Sequence, residues 1–295
     1  MIVWDREKKE YAIEKEYGKD LLSFLYQTII GRVVLKCVFA NHWFSALYGM
    51  LQKRPASKNK IKDFVHTYDI DMNQYKSIDE YESFDDFFLR KRDVTKAISQ
   101  KAFDEDSLIA ISDAKLKVVK LDDGGIFRVK QSDYDISEFI LDDGLSDEFR
   151  DGICLIYRLT VDDYHRYVFL DEGYIEREYF IRGQLHTVQS ISDRYRVFIR
   201  NSRNVSILNT KNFGKVVQVE VGAMLVGKIK NHDKTNFARL EEKGYFEYGG
   251  STIVQIFKKD IIKIDDDIIK ASISDIESKV QIGMIIGHKN SLAIK

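Results

Sequence analysis

Apolar and polar positions alternate in two different ways along this chain, and the change falls near residue 106. Over residues 8 to 53 the apolar residues recur at helical spacing and predict two helices, with Gly31 as a break and Pro55, the one proline, just past their end. Ile61–Met72 and Ile78–Arg90 predict two more helices. The second gathers Phe84, Phe87 and Phe88 on one face, with Asp85 and Asp86 between them. From Leu108 onward, short runs rich in Val, Ile, Tyr and Phe are bounded by Asp, Gly and Asn, as strands and tight turns are. They include Leu116–Leu121, Ile153–Leu159, Tyr195–Arg200, Val205–Asn209, Val216–Val221, Met224–Ile229 and Thr252–Phe257, with a short helix over Ile268–Ser274 before a final strand. The pattern predicts an α+β fold. A helical N-terminal region (1–105) is followed by a largely antiparallel β body (106–295), with no internal repeat and no obvious linker.

Composition adds little until it is read locally. The chain has 295 residues, 44% hydrophobic and 32% charged, with a net charge of -1, so no bulk attraction to nucleic acid is implied. Cys37 and Cys154 have no metal or disulfide spacing and read as buried apolar fillers in a reducing compartment. The charged residues from Met1 to Glu10 do not read as a signal peptide. From Leu21 to Lys60, however, there is no Asp or Glu, while Arg32, Lys36, Lys53, Arg54, Lys58 and Lys60 are interleaved with large apolar residues. The uncharged run Cys37 to Gln52 is shorter than the roughly 20 residues a membrane span needs. The segment, about 21–52, reads either as basic, apolar helices lying in an anionic membrane surface or as a helical hairpin packed on the rest of the chain.

One stretch points to chemistry. In Gly244-Tyr-Phe-Glu-Tyr-Gly-Gly-Ser-Thr-Ile-Val-Gln-Ile-Phe257, two glycines precede Ser251 and a β-branched run follows it. Gly250 has no Cβ, so the carbonyl before Ser251 is open to attack by the serine itself while the strand holds the bond. The same glycines also read as an ordinary hairpin turn. Asp113, His165, His186, Arg203 and Asn204 also fall at the ends of strand-like runs. An acid, a histidine and a serine are the parts of a charge relay. On pattern alone, Asp113 reads equally as a turn cap, His165 as a core histidine, His186 as a strand residue and Arg203 as a solvated cation.

Taken together, these pieces resemble phosphatidylserine decarboxylases over nearly the whole chain. Gly249-Gly250-Ser251-Thr252, preceded by Lys243-Gly244-Tyr245-Phe246, is similar to that family's self-cleavage motif. Asp162-Asp-Tyr-His-Arg-Tyr167 is similar to its Asp-Tyr-His-Arg motif, and Ala110-Ile-Ser-Asp-Ala-Lys-Leu116 to the segment with its relay aspartate. Phe84-Asp-Asp-Phe-Phe-Leu-Arg90 resembles an N-terminal signature. Asn201-Ser-Arg-Asn-Val205, Val221-Gly-Ala-Met-Leu-Val-Gly227 and Glu277-Ser-Lys-Val-Gln-Ile-Gly283 also align. Three positions depart: Ile111 replaces a proline, Ala114 follows the relay aspartate, and Val168 stands where many members have a second histidine as relay base.

The resemblance implies a self-processing, pyruvoyl-dependent enzyme. A histidine oriented by Asp113 takes the Ser251 proton, Oγ attacks the Gly250 carbonyl, and the chain divides into a β chain (1–250) and an α chain (251–295). Ser251 becomes a covalent pyruvoyl group, the pyruvate cofactor, whose ketone forms a Schiff base with the substrate amine and acts as electron sink. The resemblance gives His165 the proton transfer of decarboxylation and a place with Arg203 and Asn204 in substrate binding. His186 is expected to replace the missing relay histidine. The implied partners are phosphatidylserine in an anionic membrane, the β and α chains for each other, and a second copy in a homodimer, with no metal and no nucleic acid. The implied location is peripheral, on the cytoplasmic face of the cell membrane. The rival readings are a processing-impaired homologue, a non-enzymatic membrane-docked β module, and a pyruvoyl decarboxylase of a soluble amino acid.

Overall fold

The computed structural model describes residues 1–14, 18–96, 98–121, 124–129, 132–188, 191, 196–224, 228–247 and 251–290. Its centre is a ten-stranded sheet in the order Asn236–Phe237, Gly173–Ile181, Arg203–Thr210, Gly214–Val221, Ser251–Phe257, Ile153–Leu159, Ala114–Lys120, Glu277–Val280, Ile2–Asp5, Glu10–Ile13. Neighbours run antiparallel except Ile2–Asp5, which lies parallel to Glu277–Val280. A smaller sheet joins Lys228–Asn231, Glu242–Glu247 and Arg166–Val168. The α+β expectation holds, with helices preceding the β body.

Strand Ser251–Phe257 is buried along its whole length. Ile253 and Phe257 enter one apolar core with Leu116, Tyr157, Tyr167 and Phe169. Val254 and Ile256 enter the other with Val217, Val219, Phe139 and Phe198. Burial on both faces is why apolar residues fall on both sides of this strand, with Gln255 between them.

Several expectations are corrected. Residues 8 to 53 are not helical throughout, because Glu10–Ile13 pairs back on Ile2–Asp5 at the sheet edge. Val197–Arg200, expected as strand, is one helical turn. Arg196 enters it in the left-handed region (φ 48°), and Arg203 donates to the Ile199 carbonyl at 2.7 Å. Tyr195 lies outside the described residues. Cys154 is buried as expected, but Cys37 is exposed.

The first helices are α1 (Lys19–Gln27), α2 (Ile29–Val34) and α3 (His42–Gln52), with a π-turn over Leu35–Phe39 before α3. The break falls at Thr28, whose hydroxyl caps α2 by accepting from the Gly31 amide at 2.9 Å. A Cβ at Gly31 would lie 1.9 Å from the Phe24 carbonyl oxygen, so glycine is what lets the chain bend by 91° here. Among the described residues, no single helix is long and apolar enough to cross a membrane. Among the described residues, nine of the 18 exposed large apolar side chains fall between Leu21 and Leu51, Ile29, Ile30 and Met50 being the most exposed of them. Helices α4 (Lys60–Tyr68) and α5 (Phe84–Phe88) instead bury Ile61, Phe84, Phe87 and Phe88 against Tyr81.

Candidate active site

Ser251 opens its strand, opposite Leu159. On its other side Thr252 faces Val221, the last pair of that ladder, and Gly222 follows with its amide on the Ser202 carbonyl at 2.9 Å. Across the next strand Lys115 faces Arg158, which places Ala114 beside Leu159, and Val280 faces Ala114. Ser251, Leu159, Ala114 and Val280 therefore form one row, with Gly222 just past the end of the neighbouring strand. The Ser251 and Ala114 backbones are two strand spacings apart, about 10 Å. Ser251 is fully buried, and its Oγ has no hydrogen-bond partner among the described residues. An unsatisfied buried polar group costs roughly 1–3 kcal/mol, so this hydroxyl does nothing for the fold. Gly249 and Gly250, the expected cleavage residue, lie outside the described residues.

Asp113 immediately precedes Ala114, one residue beyond the row. Its carboxylate accepts from Arg92 Nη2 at 2.7 Å and from the Ile282 amide at 2.9 Å. Arg92 lies over the Tyr164 ring at 4.7 Å. Val168 is buried, and its amide donates to the Ile111 carbonyl at 3.0 Å. Position 168 is thus tied by its backbone to the segment that carries the aspartate. Here valine fills the place, and the carboxylate is held by an arginine.

His165 ends the turn that follows strand Ile153–Leu159. Its Nδ1 donates to the Asp163 carbonyl at 2.9 Å, so in the neutral ring Nε2 carries the lone pair. The ring packs on Phe88 of α5, with centroids 4.3 Å apart. Its carbonyl accepts from the Phe246 amide at 3.0 Å, on the strand that leads toward Ser251. The turn itself is rigidly held. The Asp163 carboxylate accepts from the Thr160 amide at 2.7 Å and from Lys115 Nζ at 2.8 Å, and Arg90 donates to the Asp162 carbonyl at 3.0 Å. Burial pushes the Asp163 carboxyl up to about 6, with Lys115 working against it. Sequence reading missed Arg90, Arg92 and Lys115, because their partners lie 21 to 72 residues away.

His186 is placed differently. The Thr187 amide donates to the Tyr26 hydroxyl at 3.1 Å, and that hydroxyl donates to His186 Nδ1 at 3.2 Å. Nε2 then donates to Gln184 Oε1 at 3.0 Å. Burial, with Arg200 adding to it, pushes this imidazole down to about 4. It is a neutral histidine whose ring ties α1 to the β body, and the structure does not bring it to the Ser251 hydroxyl. Its backbone is linked to Gly222 indirectly, because Asn201 Nδ2 donates both to the His186 carbonyl and to the Gly222 carbonyl at 2.8 Å.

Arg203, expected at the substrate, has its side chain engaged with backbone carbonyls. Its three nitrogens donate to the carbonyls of Phe139, Ile199, Asn201 and Glu138, and the side chain is buried. Arg203 is a staple for local helical turns. Asn204 donates to the Glu178 carboxylate.

Comparison with known proteins decides the family. Residues 84–288 match the family model described as phosphatidylserine decarboxylase. The chain is 46% identical over 289 residues to phosphatidylserine decarboxylase proenzyme 2 of Clostridium acetobutylicum, covering 98% of each. It is 38% identical to the phosphatidylserine decarboxylase proenzyme of Clostridium tetani (97% of each) and 37% to that of Clostridium perfringens (97% of this chain, 99% of the relative). The chain belongs to the phosphatidylserine decarboxylase family.

A decarboxylase of this family is a carboxy-lyase, and the Ser251 position fits the precursor of a covalent carbonyl group: a buried, unbonded hydroxyl at the mouth of a fixed strand. Beside the row, a cleft of about 580 Å³ opens between α3 and the β body. Gly222, Ser202, Leu185 and Ala46 are among its lining residues, as are three cations that sequence reading passed over, Arg182, Lys228 and Lys230. Strand Lys228–Asn231 is seated tightly, since a Cβ at Gly244 would lie 2.3 Å from the Lys230 carbonyl oxygen.

Proposed function

We propose that this decarboxylase acts on phosphatidylserine at a membrane surface, yielding phosphatidylethanolamine and carbon dioxide, after cutting itself between Gly250 and Ser251. The observation that carries this reading is the Ser251 hydroxyl, fully buried and without a partner, in a row that ends beside Asp113. Oγ attacks the Gly250 carbonyl carbon, its proton passes to a histidine, and the peptide C–N bond gives way to an ester. Loss of the Ser251 Cα proton and cleavage of the Cβ–O bond release Gly250 as a carboxylate. Water then converts the remaining dehydroalanine to a pyruvoyl group and ammonia.

The pyruvoyl group supplies the electron sink for loss of carbon dioxide. His165 is the residue assigned to move protons, through Nε2. Its Nδ1 is fixed on the Asp163 carbonyl, and Phe88 holds the ring plane. Asp113, held by Arg92 and the Ile282 amide, supplies the fixed negative charge near the row. The β and α chains stay together because strand Ser251–Phe257 is paired on both sides by the β chain and Glu277–Val280 is likewise enclosed. The exposed apolar residues of α1–α3, in a segment lacking acids, support peripheral attachment to the cytoplasmic face of an anionic membrane. A homodimer, which the family resemblance implies, is tested by sedimentation of the processed protein.

Val168 and the Arg92–Asp113 pair favour a second reading, a member that matures slowly. A time course of chain cleavage separates the two. The activity itself is tested by carbon dioxide release from serine-carboxyl-labelled phosphatidylserine: wild type releases label and Ser251→Ala does not. Equal release by both would overturn the assignment.

A further inference from the structure

We infer that Arg182, Lys228 and Lys230 read the phosphodiester of the lipid headgroup in the cleft beside Ser251, and that they, rather than Arg203, set the preference for a phospholipid. This rests on the decarboxylase reading of the site. Three observations carry it.

The first is position. Gly222 lines the cleft and directly follows Val221, which pairs with Thr252, so the cleft opens at the end of the strand pair in which Thr252 follows Ser251.

The second is charge. Among the described residues, none of the three cations makes an ion pair. Elsewhere on the body, Lys215, Lys243 and Lys258 each face a carboxylate within 3.4 Å. Lys228 is opposite Glu247 across two strands, yet no ion pair forms. Cations gathered on one cleft without carboxylates suit a phosphodiester, which offers unsubstituted anionic oxygens.

The third is the graded polarity of the walls. Phe180, Leu185, Ile229 and Ala46 line the same cleft, and Ala46 belongs to α3, whose Trp43 and Leu47 are exposed. An amphiphile fits such a cleft, with its acyl chains toward the helical face and its phosphate toward the lysine strand. A free inorganic anion would have no use for the apolar walls.

The test is calorimetric binding of monomeric dihexanoyl phosphatidylserine to full-length Ser251→Ala protein, which cannot mature. Removing both charges, Lys228→Ala with Lys230→Ala, raises Kd about tenfold or more, and Arg182→Ala raises it less. The charge-keeping pair Lys228→Arg with Lys230→Arg restores the affinity, which separates charge from folding. Dihexanoylglycerol, which lacks the phosphate, binds all variants alike. The inference is overturned if the alanine pair binds within about twofold of the parent. It is also overturned if dihexanoylglycerol loses as much affinity as the phospholipid, or if inorganic phosphate alone binds as tightly as the lipid. Cleavage of the parent chain, followed separately on gels, reports on the decarboxylase reading and is independent of this binding result.

Discussion

Helices α1–α3 and helices α4–α5 are made of similar residues but bury them differently. In α4–α5 the aromatic side chains turn inward, and Phe84, Phe87 and Phe88 are each at most 2% exposed. In α1–α3 Leu22, Leu25 and Tyr26 are buried, but nine large apolar side chains point outward, with Ile29 76% and Ile30 70% exposed. Both layers serve the same site. The buried layer fixes His165 through Phe88, while the outward layer meets the β body through Tyr26 and His186 and forms one wall of the cleft. Apolar composition alone therefore does not tell a scaffold from a docking surface. What separates them is whether the aromatic face has a protein partner.

The contrast can be tested by substitution. In the inward layer, Phe88→Ala removes a fully packed ring and should cost about 3–5 kcal/mol of stability in urea unfolding, with slower chain cleavage as His165 loosens. A loss below about 1 kcal/mol would mean that α5 is not a scaffold. In the outward layer, the triple change Ile29→Ser, Ile30→Ser, Val33→Ser should lower partition onto anionic vesicles by roughly 100-fold while leaving unfolding nearly unchanged. Unchanged partition would remove α2 from the membrane surface.

The joint between the layers should respond to acid. The folded pKa of His186 lies below its unfolded value of 6.5, so its contribution to stability is complete above pH 6.5 and fades as pH falls toward 4. Between pH 7 and pH 5 the wild type should lose about 2 kcal/mol more than His186→Gln, measured by urea unfolding. Equal losses would show that this imidazole is not buried in the neutral form. A much smaller effect is expected at the α5 surface, where the half-exposed Lys76–Asp86 pair, 3.1 Å apart, should contribute less than about 1 kcal/mol when tested by Lys76→Ala.

Much of this arrangement was legible in the amino-acid order. The strand after Ser251 announced itself through its β-branched apolar residues, and the Phe84–Phe88 signature marked a buried face. The first two strands were not legible, because Ile2–Asp5 and Glu10–Ile13 are each four residues long and joined by a charged turn. Their partners are at the far end of the chain: Val3 pairs with Glu277. Site residues were harder still. Arg203 read as a solvated cation from pattern and as a substrate contact from the resemblance, because burial and its four carbonyl partners are invisible in a sequence. His186 was expected to serve Ser251, but its ring partner is Tyr26, 160 residues away. Lys228 and Lys230 carried no motif, and only the fold places them in a cleft lined by Gly222.

The most direct test of the account is intact-mass spectrometry of the purified wild-type protein under denaturing conditions. The account predicts two chains, residues 1–250 and residues 251–295, the shorter one blocked at its N-terminus by a pyruvoyl group. A single 295-residue chain that persists with an ordinary serine at position 251 would contradict it.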